Sequence, residues 1–151
     1  MILIGHSIQD ESTIRENFGG VAYSYWFVRK AFRPVIERLG RRVEVSDPSR
    51  EVDAIYRSAK ERGEDCVFLC FSPPQNVPLG LACPTLPVFA WEFDTIPDEA
   101  WEDNPKDDWR IVLSQTGMAV TLCQSSVSAV RRTMGQDFPV WSIPAPVFDR
   151  H

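Results

Sequence analysis

The sequence predicts an α/β fold, and three observations lead to that prediction. Short apolar runs alternate with longer stretches of helical periodicity along the 151 residues. Two of these runs, residues 66–72 and 86–93, are apolar on both faces for most of their length, as the central strands of a parallel sheet are. Most of the helical stretches end at a glycine. We therefore expect one Rossmann-like domain over residues 1–151, with a parallel sheet of about six strands and helices on both faces.

The first two predicted elements are a strand and a long helix. The apolar run ILIGH at residues 2–6 predicts the strand. The helix is predicted over residues 21–39, where apolar side chains recur at spacings of three and four residues. Pro34 is expected to kink or divide this helix, and Gly40 is expected to end it.

The remaining elements continue the alternation. Further strands are predicted at residues 41–46, 66–72, 86–93, 118–124 and 138–144. Further helices are predicted at residues 48–62, 109–115 and 126–134, with Asp47 and Ser125 as the N-caps of the first and the last. Residues 94–108 hold seven acids and the single base Lys106. We expect that segment to be a loop with a short helical turn.

The charge balance disfavours a nucleic-acid partner. The chain has 16 Lys and Arg against 21 Asp and Glu, a formal net charge of -5, and a negative field repels phosphate backbones. No apolar stretch reaches the ~18 residues that predict a membrane span. The apolar run at residues 1–6 also lacks the basic start and the small-residue cleavage site of a secretion signal. The expected location is therefore the cytoplasm.

The four cysteines are expected to be buried thiols. They are Cys66, Cys70, Cys83 and Cys123. Cys66 and Cys70 lie in one predicted strand, where four residues at about 3.3 Å each separate their Cα atoms by ~13 Å. That distance exceeds the ~7 Å limit for a disulfide. Thiols in a reducing compartment therefore explain the cysteines better than a disulfide or a zinc site does.

The candidate site residues follow from the predicted sheet, because ligands of such sheets bind outside the carboxyl ends of the strands. The polar residues and glycines at or after the ends of the predicted strands are His6, Ser7, Gly19, Gly20, Ser72, Glu92, Asp94, Ser125 and Ser126. Gly19 and Gly20 precede a helix, whose free N–H groups and dipole suit a diphosphate. Glu92 and Asp94 are two residues apart, so both carboxylates point to the same side if the strand continues.

Four segments resemble the N-terminal, acceptor-side domain of GT-B-fold glycosyltransferases, in the same order along the chain. The segments are Gly19-Gly20-Val21 before the long helix, PVFAWEFD at residues 87–94, SSVSAVRRTMG at residues 125–135 and VWSIPAPVFD at residues 140–149. Together they span nearly the whole chain. The last is similar to the strand that leads into the hinge between the two domains of those enzymes. The group that the chain resembles is the glycogen-synthase-like one, with enzymes of bacterial surface glycans.

The resemblance implies a transferase that moves a sugar from a nucleotide-sugar donor to a glycan or lipid-linked acceptor. It implies that Glu92 and Asp94 are catalytic residues at the acceptor, and that Gly19, Gly20, His6, Ser72 and Ser125 bind substrate. It also implies a second, donor-binding domain outside this chain, so the isolated domain is expected to be inactive. Peripheral membrane association and self-association through an apolar face near Phe148 are compatible with it.

Several alternatives stay open at the level of the sequence. A carboxylate takes the acceptor proton in an inverting transferase, and only hydrogen-bonds the acceptor in a retaining one. Glu92-Phe93-Asp94 also resembles the D-x-D metal motif of GT-A enzymes, but two carboxylates make an incomplete site and we predict no metal. The fingerprints G-x-G-x-x-G and G-x-S-x-G are missing, so no dinucleotide cofactor and no serine hydrolase are predicted. A Rossmann-like binding module without catalysis is the alternative function.

Overall fold

The computed structural model describes residues 1–7 and 21–146. Within these residues the strands are β1 (Ile2–Ser7), β2 (Arg41–Glu44), β3 (Cys66–Phe71), β4 (Thr85–Phe89), β5 (Ala119–Thr121) and β6 (Val140–Ser142). The α-helices are α1 (Val21–Leu39), α2 (Pro48–Glu61), α3 (Trp109–Thr116) and α4 (Gln124–Met134), and 3₁₀ turns occur at Pro74–Asn76 and Pro105–Asp107. Gly19, Gly20 and Phe148 lie outside the described residues.

The strands form one parallel sheet in the order β2-β1-β3-β4-β5-β6, flanked by the helices of the described chain. This confirms the predicted α/β, Rossmann-like fold class. β1 lies between β2 and β3, so the direction of winding reverses there. In open parallel sheets, the crevice at the carboxyl ends of the strands beside such a reversal is a ligand site.

The chain divides into two compact units. The first comprises Leu81–Thr85 together with the described parts of Met1–Phe71 and Ala145–His151, and the second comprises Ser72–Gly80 and Leu86–Pro144. Each unit has buried apolar residues of its own.

The core of the first unit forms around β1. Ile4 of β1 is fully buried and pairs in register with Phe68 of β3. α1 buries one face, on which Phe32 and Ile36 lie, as the three- and four-residue spacing predicts. The rings of Phe32 and Phe71 lie 5.9 Å apart. The helix and the end of β3 are therefore joined by aromatic packing.

The predicted division of the first helix at Pro34 does not occur, because α1 continues to Leu39. Proline has no N–H, so Pro34 leaves the carbonyl of Lys30, four residues earlier, without its helical hydrogen bond. Both residues are exposed, so water can bond that carbonyl instead. Gly40 follows the helix as predicted, and an ideal Cβ there would lie 2.3 Å from the Met1 carbonyl oxygen. Although α1 has 19 residues, no helix of the described chain combines enough length and apolar character to cross a membrane.

The second unit buries the inner faces of α3 and α4 against its strands. Val112 and Leu113 of α3 and Val130 of α4 are fully buried. α3 ends at Gly117, as predicted, in the left-handed conformation with φ 71°. β5 pairs in parallel with β6, with Ala119 opposite Val140. These short strands hold the loops that follow them at the carboxyl edge of the sheet.

Candidate functional site

The predicted extension of the fourth strand to residue 93 is wrong, because β4 ends at Phe89. The indole Nε1 of Trp91 donates a hydrogen bond of 2.7 Å to the Thr95 carbonyl oxygen. The chain therefore turns after the strand. Glu92 and Asp94 lie in the resulting loop, and both are exposed. The two-residue alternation of a strand consequently no longer places their carboxylates on one side.

The loop after β4 forms an open groove, which we call the aromatic groove. Its lining residues are Trp91, Phe93, Thr95, Ile96, Pro97 and Asp98. The groove has a volume of about 360 Å³. Ile96 is 2% exposed, so its side chain anchors the floor in the core. The walls thus combine two aromatic rings with the single carboxylate of Asp98.

A row of four aromatic rings leads from the core to the aromatic groove. The ring centroids of Phe89 and Trp109 are 5.4 Å apart, those of Trp109 and Trp91 are 4.5 Å apart, and those of Trp91 and Phe93 are 5.0 Å apart. Phe89 and Trp109 are buried, Trp91 is half-buried and Phe93 is 66% exposed. The buried rings therefore support the ring that faces solvent.

Three side chains hold the backbone of this loop in place. The Ser126 hydroxyl donates to the Trp91 carbonyl oxygen at 2.5 Å. Arg132 donates through Nη1 to the Asp94 carbonyl oxygen at 2.8 Å, and Arg110 donates through Nη2 to the Asp98 carbonyl oxygen at 2.6 Å. These hydrogen bonds fix the loop on α3 and α4, so the groove is largely preorganised for a ligand.

The start of the last helix differs from the prediction that Ser125 is its N-cap. α4 begins at Gln124, and Cys123 occupies the N-cap position. The hydroxyls of Ser125 and Ser126 lie 3.1 and 3.0 Å from the Cys123 Sγ. Hydrogen bonds from Ser125 and Ser126 lower the pKa of the Cys123 thiol. Ser126, the next residue, donates its hydrogen bond to the Trp91 carbonyl oxygen. Ser125 therefore lies beside the loop that carries Glu92 and Asp94.

The cysteines therefore divide into one exposed thiol and three buried ones, whereas the sequence predicts four buried thiols. We expect iodoacetamide to alkylate Cys123 rapidly in the folded protein, because the thiolate is the nucleophile. Burial raises the pKa of Cys66, and it raises that of Cys83 to about 12. Mass spectrometry of the alkylated peptides measures this difference. The control is Cys123→Ser, and rapid alkylation that persists in this variant would contradict the assignment.

His6 lies within β1, next to its last residue, and Ser72 directly follows β3, so both lie near strand ends as the sequence predicts, in two different units. The His6 ring is half-buried, and its Nδ1 lies 3.1 Å from the Val45 carbonyl oxygen, to which Nδ1–H donates. Burial lowers the pKa of His6, so the ring is neutral at pH 7. Ser72 is 1% exposed. His6 is therefore a hydrogen-bonded residue of the first unit, while Ser72 is enclosed in the second.

The carboxyl-edge rule does not select Asp98 or the two rings of the groove as ligand-binding residues. The available signal is the length and composition of residues 90–108, a long loop in which aromatic residues are placed among acids. Long loops in compact domains are commonly functional. Within residues 1–7 and 21–146, no three His, Cys, Asp or Glu side chains are grouped so as to hold a metal ion.

Comparisons of the chain with protein-family models, with curated proteins and with solved structures found no match.

Proposed function

We propose that this chain is the acceptor-side domain of a GT-B-fold glycosyltransferase, which moves a sugar from a nucleotide-sugar donor to a glycan or lipid-linked acceptor. The observation that carries the proposal is the aromatic groove in the loop after β4. Loops at the carboxyl ends of parallel strands are where ligands of such sheets bind. The segment PVFAWEFD, which resembles the glycosyltransferase pattern, enters this same loop.

The chemistry of the aromatic groove suits a sugar ring. A pyranose presents flat C–H faces that pack against aromatic rings, together with hydroxyl groups that need hydrogen-bond partners. Trp91 and Phe93 offer the rings, and the Asp98 carboxylate offers acceptors for hydroxyl hydrogens. A mostly apolar cleft with a few polar groups is the usual form of a small-molecule site. Asp98 is the residue that we assign to orienting the acceptor.

The reaction needs an acceptor hydroxyl that attacks the anomeric carbon of the donor sugar. As its oxygen forms the new bond, the hydroxyl proton passes to a base in an inverting enzyme, and the nucleoside diphosphate leaves with the electrons of the broken bond. Glu92 and Asp94 are exposed carboxylates in the loop that forms the groove, and we assign the base to this pair. Gly19 and Gly20 are assigned to the donor diphosphate.

Replacing Phe93 by alanine is expected to weaken glycan binding by about tenfold, because stacked aromatic contacts contribute about 0.5–1.5 kcal/mol beyond the area that they bury. The Phe93 ring is 66% exposed, so its removal leaves the fold intact. Saturation-transfer NMR of the chain with a panel of neutral oligosaccharides measures the binding.

Trp141→Ala is the matched control for this experiment. Trp141 is 52% exposed in the same unit, and it does not line the aromatic groove. Glycan binding should survive in this control and fall in Phe93→Ala. Equal binding by both variants, or no binding of any oligosaccharide by the unmodified chain, would remove the support that the groove gives to the proposal.

A further inference from the structure

A second pocket, in the first unit, is lined by cations and one aromatic ring. We call it the basic pocket, and its lining residues are Trp26, Arg29, Lys30, Arg33 and Arg42. It encloses about 120 Å³, roughly the volume of four water molecules at ~30 Å³ each. That size suits a single charged group rather than a whole nucleotide sugar. The concentration of positive charge is unexpected in a chain with a net charge of -5.

Two glutamates hold the arginines of the basic pocket in position. Glu44 accepts from Arg29 Nη1 at 2.5 Å and also pairs with Arg42. Glu37 accepts from Arg33 Nε at 2.8 Å and from Arg42 Nε at 3.3 Å. The side chains of Arg29 and Arg42 are each 23% exposed, so these two guanidinium groups form the fixed floor of the pocket.

The backbone of β1 also leaves room for Glu44, the glutamate that pairs with both Arg29 and Arg42. Gly5 of β1 is paired in register with Glu44 of β2. An ideal Cβ at Gly5 would lie 3.1 Å from the Glu44 Oε1. The absence of a side chain at Gly5 therefore leaves room for the carboxylate that orients Arg29 and Arg42.

The charges of the basic pocket do not cancel. Four cations line it, and the two glutamates neutralise two of them, which leaves an excess of two positive charges. Among the described residues, Nη2 of Arg29 and both Nη atoms of Arg33 have no protein acceptor. The Lys30 ammonium lies 4.7 Å from the centre of the Trp26 ring, at the apolar wall of the pocket. The residues that line this small volume thus carry both excess positive charge and N–H groups without a protein acceptor among the described residues.

We infer that the basic pocket binds a phosphate group, in the form of a phosphate monoester. Such a group carries a charge of about -1.5 to -2 at pH 7, which matches the excess charge of the pocket. Guanidinium groups bind phosphate oxygens through paired N–H donors, and Trp26 offers an apolar surface to the organic part of the ester. This inference rests on the first unit alone and is independent of the proposed glycosyltransferase function.

The test follows the indole N–H signal of Trp26 by NMR in the 151-residue chain, with inorganic phosphate and glycerol 1-phosphate as probes. Loss of the signal in Trp26→Phe assigns it. Both probes should shift the signal saturably, and added salt should weaken the binding. The double variant Lys30→Gln/Arg33→Gln should lower the affinity by about tenfold or more, because it removes two charge-assisted donors.

The matched control is Arg50→Gln/Lys60→Gln on α2. Arg50 pairs with Asp47, as Arg33 does with Glu37, and Lys60 lies over the Tyr56 ring, as Lys30 does over Trp26. The control changes the net charge by the same amount but leaves the basic pocket unchanged. No saturable shift in the unmodified chain would overturn the inference, and so would an equal loss of affinity in both double variants.

Vesicles identify the source of the phosphate group. Co-sedimentation with vesicles that contain phosphatidic acid, whose headgroup is a phosphate monoester, but not with phosphatidylcholine vesicles, would support the inference with a lipid headgroup as the ligand, provided that it is lost in Lys30→Gln/Arg33→Gln. Binding of glycerol 1-phosphate without co-sedimentation would support it with a soluble phosphate ester.

Discussion

Glu92→Gln or Asp94→Asn is expected to lower kcat by about 10²–10⁴-fold in an enzyme that joins this domain to a nucleotide-sugar-binding domain. A general base contributes a factor of that size. The larger loss identifies the carboxylate that takes the acceptor proton. Donor KM should change little, because donor binding belongs mainly to the other domain. Steady-state kinetics with each substrate varied in turn separates these effects.

The matched control is Asp65→Asn in the first unit, where the Asp65 side chain is 88% exposed. A second comparison is Gly20→Val. Because the proposed function assigns Gly20 to the donor diphosphate, this variant should raise the donor KM as well as lower kcat. If both carboxylate variants kept kcat within about threefold of the unmodified enzyme, under ~0.7 kcal/mol of barrier, the catalytic assignment of the pair would be wrong.

Trp109→Ala is expected to lower the free energy of unfolding by about 3–5 kcal/mol, the usual cost of removing a buried aromatic side chain. Trp109 is 3% exposed and lies between the rings of Phe89 and Trp91. The substitution leaves a cavity under the aromatic groove as well as unburied apolar surface. Urea unfolding followed by circular dichroism measures the change.

Two further variants make this result specific to the row of rings. Trp109→Phe keeps a ring between Phe89 and Trp91, so its loss of stability should be clearly smaller. Trp141→Ala removes an indole that is 52% exposed and should change the unfolding free energy by less than about 0.5 kcal/mol. If Trp109→Ala lowered the free energy of unfolding by less than about 1 kcal/mol, the indole would not support the aromatic groove, since removal of a buried aromatic ring costs more than that.

The order and type of the elements could be predicted because local pattern decides them. Apolar residues at helical spacing on α1, the glycine after α3 and the doubly apolar run of β3 each have one favourable structure. The end of β4 could not be predicted in this way. Trp91 and Phe93 continue the apolar run, yet they pack on Trp109 instead of entering the sheet. An apolar side chain predicts burial, but it does not predict which element of the fold the side chain packs against.

In the candidate site, too, some residues could be predicted from local pattern and others could not. The carboxyl-edge rule selects Glu92, Asp94 and Ser125; the two carboxylates lie in the loop after β4, and Ser125 lies in the first turn of α4, the helix that follows β5. Asp98 could not be selected by that rule, because its place in the groove depends on the turn that Trp91 and Thr95 form. Cys123 could not be identified as the N-cap, since serine is a preferred residue type there and two serines follow Gln124.

In the first unit β1 lies between β2 and β3, and both of these neighbours are synthesised after it. Ile2 pairs with Arg41 on one side and with Cys66 on the other, and the ribosome synthesises β1 first. At about 5–20 residues per second, roughly 3–13 s pass between the synthesis of the first strand and that of its second neighbour. During this interval the apolar β1 has unpaired edges, to which other nascent strands can add. β1 is therefore the strand of the first unit that most needs protection from aggregation during translation.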